Sequence, residues 1–314
     1  MTTASQHWYE YQRAIMLEID TDSGEARSVL EYTSPPEVGP VEQPTILFKS
    51  GTRVGDLLYL CTQTEVMVLR APQMERLAYV SLAPFNDVHH VRPSPSGGLL
   101  IANSGLDMVM EVSLDGEVLQ EWSVIGGSTW DRFSRDIDYR RVRTTKPHLG
   151  HPNHVFYIDG QPWATRFEQR DAVALDDLDD RINIGLERLH DGLVADGRVY
   201  FTTVDGKVVI ADSARRQVIE VIDLTTFHPA DTRLGWCRGI HLDGDRLWVG
   251  FSRIRPTKFR ENVGWVMHGF KRDVGTHIAC YDLQARRCEA EILLEDAGMS
   301  AVFSILAKPG VETT

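Results

Sequence analysis

"HDGLVADGRVYFTTVDGKVVIADSARRQVIEVIDL", residues 190–224, decides the fold. Its apolar and β-branched residues come in short runs, cut by Asp196-Gly197, by Asp205-Gly206 and by the polar step Ser213–Arg216. Asp-Gly between such runs signals a hairpin, because both turn positions tolerate left-handed backbone. The stretch therefore reads as four short antiparallel strands in succession. Helical spacing is nearly absent from the whole chain.

The same order recurs on both sides. It appears as "NHVFYIDGQPWATRFEQRDAVALDDLDDRINIGL" (153–186), "NDVHHVRPSPSGGLLIANSGLDMVMEVSLDGEVLQEW" (86–122) and "FKSGTRVGDLLYLCTQTEVMVLRAPQMERLAYVSL" (48–82). A further copy, "CRGIHLDGDRLWVGFS" (237–252), resumes after an interruption as "THIACYDLQARRCEAEILL" (276–294). A repeated four-stranded unit is one blade of a β-propeller. The ends suggest one blade more. "AIMLEIDTDSGEARSVLEY" (14–32) is a hairpin without inner partners, and "SAVFSILAK" (300–308) is an inner strand without outer ones. The expected fold class is thus all-β: a single propeller over residues 1–314, with six four-stranded blades as the first choice and five or seven as the alternatives. Its ring would be closed by N- and C-terminal strands sharing a blade, which removes exposed sheet edges.

In this repeat order the chain resembles the six-bladed propellers of the NHL, strictosidine-synthase-like and lactonase group. The resemblance implies the fold and no particular reaction. The calcium sites known in that group use Glu, Asn and Asp. The candidate set here is rich in histidine, so those ligands are not carried over.

A net charge of −12 over 314 residues argues against nucleic acid and against an anionic membrane surface as partners. Cys61, Cys237, Cys280 and Cys288 form no CxxC pair, and no apolar run reaches the length of a membrane span. Together these predict a reduced, cytoplasmic protein. No Gly-rich phosphate loop, GxSxG elbow or HExxH helix occurs.

In a propeller, the first strand of each blade lines the channel and starts at its top face. Aligning the repeats puts Asn153, His190 and Cys237 in one row, with His89 joining them. The next row holds His90, His154, Asp191 and Arg238, with Lys49 in the first blade and Ser300 in the last. Neighbouring strand residues face opposite ways, so one of each adjacent pair faces the channel. Histidines from several blades converging on one axis suit a divalent transition metal with open positions for water or substrate. The expected metal ligands are His89 or His90, His154 and His190. His151, Arg238 and Asp191 are the expected catalytic groups, moving protons, stabilising charge and orienting a ligand ring. A histidine at a strand start can equally be satisfied by backbone carbonyls.

Two insertions, 124–150 and 253–276, carry six Lys or Arg each, 12 of the 33 in the chain. Both return to the top face by the propeller connectivity, where loops carry function. Lys49, Arg140, Arg143, Arg255, Arg260, Trp265 and His268 are accordingly the expected substrate-binding residues. Trp130, Tyr139 and Phe270 would join Trp265 as aromatic walls. Arg-rich walls suit a small anionic molecule, since a guanidinium pairs carboxylate or phosphate through two hydrogen bonds.

Three function classes follow. The first is a metal-dependent enzyme on a small anionic substrate, by hydrolase, lyase or oxygenase chemistry. The second is metal-free group transfer through His154 or His190 with Arg238 as charge stabiliser, as in the arylsulfotransferases, whose repeats the 89–122 stretch resembles. The third is a non-catalytic propeller holding a protein partner on its top face. Dependence on a metal separates the first two.

Overall fold

Turn chemistry sets the strand boundaries. The computed structural model describes residues 11–253 and 272–307, and nearly every Asp-Gly or Gly-Asp step falls at a strand end. The N-terminal hairpin is β1 (Ala14–Ile19) and β2 (Ala26–Tyr32). Blade 1 is β3 (Thr52–Val54), β4 (Leu57–Cys61), β5 (Val66–Arg70) and β6 (Glu75–Val80). Blade 2 is β7 (Val88–Pro93), β8 (Leu99–Asn103), β9 (Met108–Val112) and β10 (Val118–Ser123). Blade 3 is β11 (Pro152–Ile158), β12 (Gln161–Arg166), β13 (Asp171–Ala174) and β14 (Arg181–Asn183). Blade 4 is β15 (Leu189–Ala195), β16 (Arg198–Thr203), β17 (Lys207–Asp212) and β18 (Gln217–Asp223). After β19 (Thr232–Arg233), blade 5 is β20 (Trp236–Asp243), β21 (Arg246–Ser252), β23 (His277–Asp282) and β24 (Arg287–Leu293). Between its second and third strands, β22 (Arg272–Asp273) pairs in parallel with β19.

Each blade is an antiparallel meander, strand order following chain order. The first strands of successive blades touch one another (β7 with β11, β11 with β15, β15 with β20), so they line the axis. Apolar side chains fill the spaces between blades. Val88, Leu99, Ile101 and Met108 of blade 2 pack on Tyr59, Val66 and Val68 of blade 1, and Phe156, Trp163 and Phe201 lock blade 3 to blade 4. Each such fully buried side chain contributes about 1.5–3 kcal/mol relative to exposure.

The expected count of six complete blades is corrected to five. The position between blades 5 and 1 is filled by the β1–β2 hairpin and residues 300–307, which run beside it without a strand ladder. The hairpin alternates its contacts with period two, as a strand must. Met16, Leu30 and Tyr32 pack on Leu58, Leu60 and Leu69 of blade 1, whereas Leu17, Ile19 and Ala26 pack on Ile278 and Ile292 of blade 5. Leu306 joins the first group; Val302 and Ile305 join the second.

The C-terminal segment lacks a ladder because its backbone is claimed by neighbours. Ser252 Oγ accepts from Val302 N at 2.9 Å, and Arg53 donates to Ala307 O at 3.0 Å. Its close approach depends on Gly250, where a Cβ would meet Val302 Cγ1 at 2.4 Å and Arg238 O at 2.6 Å. The termini thus close the ring by packing rather than by pairing.

The insertion 124–150 is ordered and partly internal. Two 3-10 turns, Thr129–Asp131 and Tyr139–Arg141, carry Tyr139 into the blade 1–blade 2 core with Trp130, Phe133 and Val142 packed around it. Asn86 Nδ2 donates to Tyr139 O and Val142 O at 2.9 and 2.7 Å, which fixes the loop to the start of blade 2. Tyr139 is therefore a core residue, and Trp130 is half-buried against the same core, its Nε1 donating to Glu121. Most of the second insertion, with Arg255, Arg260, Trp265, His268 and Phe270, lies outside the described residues.

Candidate functional site

Four of the five inner strands begin with a β-bulge, at 88/90, 152/155, 190/193 and 237/240. A bulge inserts one residue and re-aims the side chains beside it. Strict alternation therefore fails at the top of the channel, and the two rows of aligned residues are mixed. His89 comes beside Lys49, with Nε2 and Nζ 3.4 Å apart, and His190 comes beside Arg238, with Nε2 and Nη2 2.8 Å apart.

These residues belong to one cluster. Lys49 Nζ lies 3.0 Å from Asp87 Oδ1 and 5.4 Å above the Phe303 ring, and the Arg238 guanidinium covers the same ring at 4.4 Å. His89 meets His151 edge-on at 4.7 Å between ring centres, and His148 stacks on His151 at the same distance. Phe167 sits between His151 and His190, at 5.2 and 5.4 Å, and Trp236 flanks His190 at 5.9 Å. Lys49, His89, His190 and Arg238 are buried; Asp87, His148 and His151 are half-buried and form its solvent side.

Hydrogen-bond partners fix which nitrogens bear protons. A carbonyl only accepts, so His89 Nδ1, 2.6 Å from Asp87 O, donates, and its Nε2 faces the Lys49 ammonium as acceptor. A guanidinium only donates, so His190 Nε2 accepts from Arg238. Thr145 gives its one hydroxyl hydrogen to Gly105 O and accepts from His148 Nε2 at 3.3 Å. The His148 Nδ1 lone pair then points at His151 Nδ1, 2.5 Å away. One ligand atom each from Asp87, His148 and His151 falls within 4.8 Å of the others, a spacing that can hold a metal ion.

The loop bearing His148 and His151 is built by Asp107. Its carboxylate accepts from the backbone N–H of Leu149, Gly150 and His151 at 2.7–2.9 Å and from Arg132 at 2.7 Å. Burial works to raise the Asp107 carboxyl, but Arg132 and the three N–H groups outweigh it and hold it below its ordinary range. Asp87 and His151 both have left-handed backbone, at φ 51° and 53°. Strain of this kind, about 1–3 kcal/mol per residue, persists where surrounding contacts over-determine it.

Charge in the cluster is lopsided. Burial opposes ionisation of Asp87, yet Lys49 and the neighbouring His89, His151 and His148 hold it well below the usual carboxylate range. Burial, reinforced by the nearby cations, pushes His89 well below its ordinary value. Burial, with His89 next, does the same to His151, so both rings are neutral near pH 7. Burial lowers Lys49, with Asp87 opposing and Arg238 assisting, and brings Arg238 down to about 10. Two cations thus converge on one ring and a single low-pKa carboxylate, an arrangement that favours an incoming anion.

The remaining expected residues go elsewhere. His90 and His154 stack on each other, ring centres 3.6 Å apart. His90 Nδ1 accepts from Val155 N at 3.1 Å, and Nε2 donates to Thr52 Oγ1 at 3.1 Å. The histidines expected as metal ligands, His89 or His90 with His154 and His190, therefore divide into two groups: His89 and His190 join the Lys49–Arg238 cluster, and His90 stacks on His154. Asp191 turns away from His190 and accepts from Gly239 N and Thr202 Oγ1. Burial raises its carboxyl to about 6. Arg140 is committed to Asp138 at 2.8 Å and to Ser81 O at 3.2 Å, and Arg143 is exposed. Phe303 reaches the cluster from the C-terminal segment, and Ser300 O accepts from Thr276 Oγ1.

The sequence reading missed Asp87, Asp107, Phe167 and Phe303. A usable signal existed for two of them. The turns between second and third strands share the top face, and Asp107 and Phe167 lie in those turns of blades 2 and 3.

No family model matches the chain, and no curated protein matches it. Solved structures do. One is a protein of unknown function from Bacteroides caccae, with a TM-score of 0.63 at 12% identity, over 93% of this chain and 94% of that one. At that identity the likeness shows the fold alone.

Proposed function

We propose that this protein is a metal-dependent enzyme acting on a small anionic substrate at the top of the propeller channel. The observation that carries the reading is the convergence of Asp87, His148 and His151 ligand atoms within 4.8 Å, beside the Lys49 and Arg238 cations. Two imidazoles and a carboxylate are a donor set for zinc, iron or manganese, and they leave positions open. Lys49 and Arg238 bind and orient the substrate's anionic group. Asp107 and Arg132 hold the loop that bears His148 and His151, and a metal held by Asp87, His148 and His151 would supply Lewis acidity for a substrate oxygen or water. Kinship with the NHL, strictosidine-synthase-like and lactonase propellers belongs to the same reading, and the repeat order supports it. The donor set differs from the Glu, Asn and Asp of that group.

The Arg238–His190 contact favours one second reading, metal-free group transfer, with His190 as nucleophile and Arg238 stabilising charge. Elemental analysis of the tag-free protein separates the two. One equivalent of transition metal that disappears in His148→Ala and persists in His90→Ala is the expected result. A metal content that His148→Ala leaves unchanged, even after incubation with zinc, iron and manganese, overturns the metal reading.

A further inference from the structure

On the outer part of blade 5, away from the channel cluster, a second group of donors meets. Ala279 of β23 pairs with Glu291 of β24, and Tyr281 pairs with Cys288. His277 and Tyr281 flank the small Ala279 in their strand, so the Glu291 side chain lies over a gap between them. His228, just after the 3-10 turn Leu224–Phe227 that leads out of blade 4, covers this gap. One ligand atom each from His228, Cys288 and Glu291 lies within 4.8 Å of the others.

A separate observation comes from His277, which is fully buried and stacked on Phe251 at 4.9 Å. Its Nδ1 lies 2.8 Å from Gly275 O and must donate, because a carbonyl only accepts. Among the described residues its Nε2 is buried without a hydrogen-bond partner, and it faces Glu291 Oε1 at 3.9 Å. With Nδ1 carrying the proton toward Gly275 O, the Nε2 lone pair faces that carboxylate oxygen, and a cation between them would serve both.

The distances fit one. His228 Nδ1 to Glu291 Oε1 is 3.6 Å, and His277 Nε2 to the same oxygen is 3.9 Å. Both are too long for hydrogen bonds. Both are near the edge of a tetrahedron built on zinc–ligand bonds of about 2.0–2.3 Å, an edge of about 3.3–3.8 Å. The far nitrogens are fixed as metal-bound imidazoles usually are, His277 by Gly275 O and His228 Nε2 by the Tyr281 hydroxyl at 3.0 Å.

We propose that His228, Cys288 and Glu291, with the buried His277 facing Glu291, form a metal site for a zinc-class divalent ion, pinning the blade 4–blade 5 connection onto the outer strands of blade 5. The thiolate, imidazole and carboxylate mixture selects zinc over magnesium or calcium. The Cys288 thiol gives its proton to solvent as the sulfur–metal bond forms. The site is independent of the channel cluster, whose three ligands include no cysteine.

The test uses the full chain, stripped with a chelator and titrated with Co2+ as an optical stand-in for Zn2+. A thiolate-to-cobalt charge-transfer band is expected, displaced by Zn2+, retained in His148→Ala and absent in Cys288→Ser. Glu291→Gln alters a half-exposed side chain that the fold does not depend on, and it should weaken cobalt binding tenfold or more. Absence of the band in folded parent protein, or a band and affinity unchanged in Cys288→Ser and Glu291→Gln, overturns the proposal. Loss of metal in His148→Ala reads only the channel cluster, so failure at one site is distinguishable from failure at the other.

Discussion

His89 and His90 are adjacent in one strand, yet they belong to regions of opposite character. His89 joins Lys49, Asp87, His151 and, through Phe167, His190 and Arg238, in a cluster with two buried cations. His90 joins His154 in a stack where a backbone N–H and the Thr52 hydroxyl satisfy it and Arg92 is the nearby cation. Both are buried and both rings are neutral near pH 7, so neither burial nor pKa tells them apart. The difference lies in what else the backbone brings within reach. A buried histidine becomes chemistry when its neighbours leave charge or lone pairs uncompensated, and packing when they do not.

The largest effect that would break this contrast is at Asp107. Replacing it with Ala leaves three backbone N–H groups of the 149–151 loop without their acceptor, at about 1–3 kcal/mol each. Denaturant unfolding should show a loss of about 3 kcal/mol or more, and dialysis should show metal binding lost with it, whereas His90→Ala keeps the metal. If Asp107→Ala holds its metal normally, the loop is not what assembles the site.

Lys49→Met comes next. Removing one charge-assisted contact, worth about 1.5–3 kcal/mol, should weaken inorganic phosphate binding roughly ten- to hundredfold by calorimetry. Arg140→Met, whose guanidinium is committed to Asp138, should leave it unchanged. Equal losses in both would return the anion site to the loop arginines.

The neutral stack has its own signature. Burial lowers His154 from 6.5 to about 3, so the unfolded chain binds a proton there that the native chain does not. Stability from this group is present above about pH 6.5 and falls as pH drops below it, by about 2 kcal/mol at about pH 5. His154→Phe should flatten that part of a stability-against-pH curve without altering metal content.

Asp191 has the opposite sign and the smallest effect. Its carboxyl is raised from 3.8 to about 6, so the native state holds the proton longer and loses stability as pH rises through that window. Asp191→Asn should remove that slope. Its net gain near neutrality is about 1 kcal/mol, because the amide oxygen still accepts from Gly239 and Thr202 less strongly than a carboxylate does. A steeper slope in the variant would mean that Asp191 is held ionised by Arg238.

The fold was legible because it is written locally. Asp-Gly turns and period-two apolar runs mark each hairpin, and five repeats read from residues alone coincide with the five four-stranded blades to within a few positions. The sixth blade was the exception. A lone hairpin and a lone terminal strand imply a ladder by their pattern, but whether they pair depends on who claims the backbone groups, and Ser252 and Arg53 do.

The candidate site was legible only in part. That histidines, Lys49 and Arg238 stand at the tops of inner strands follows from the repeat and the connectivity, which any propeller imposes. Which of them meet does not follow, because alternation assumes a regular pleat and four of the inner strands are bulged where it matters. The sequence by itself determined the blades, their order and the row of polar residues around the axis, since these rest on local periodicity. Only the tertiary structure decided that His89 faces charge while His90 stacks on His154, and that Asp87 and His148 come together with His151. Those outcomes depend on one-residue shifts in backbone register and on loops from distant parts of the chain, neither of which leaves a periodic trace.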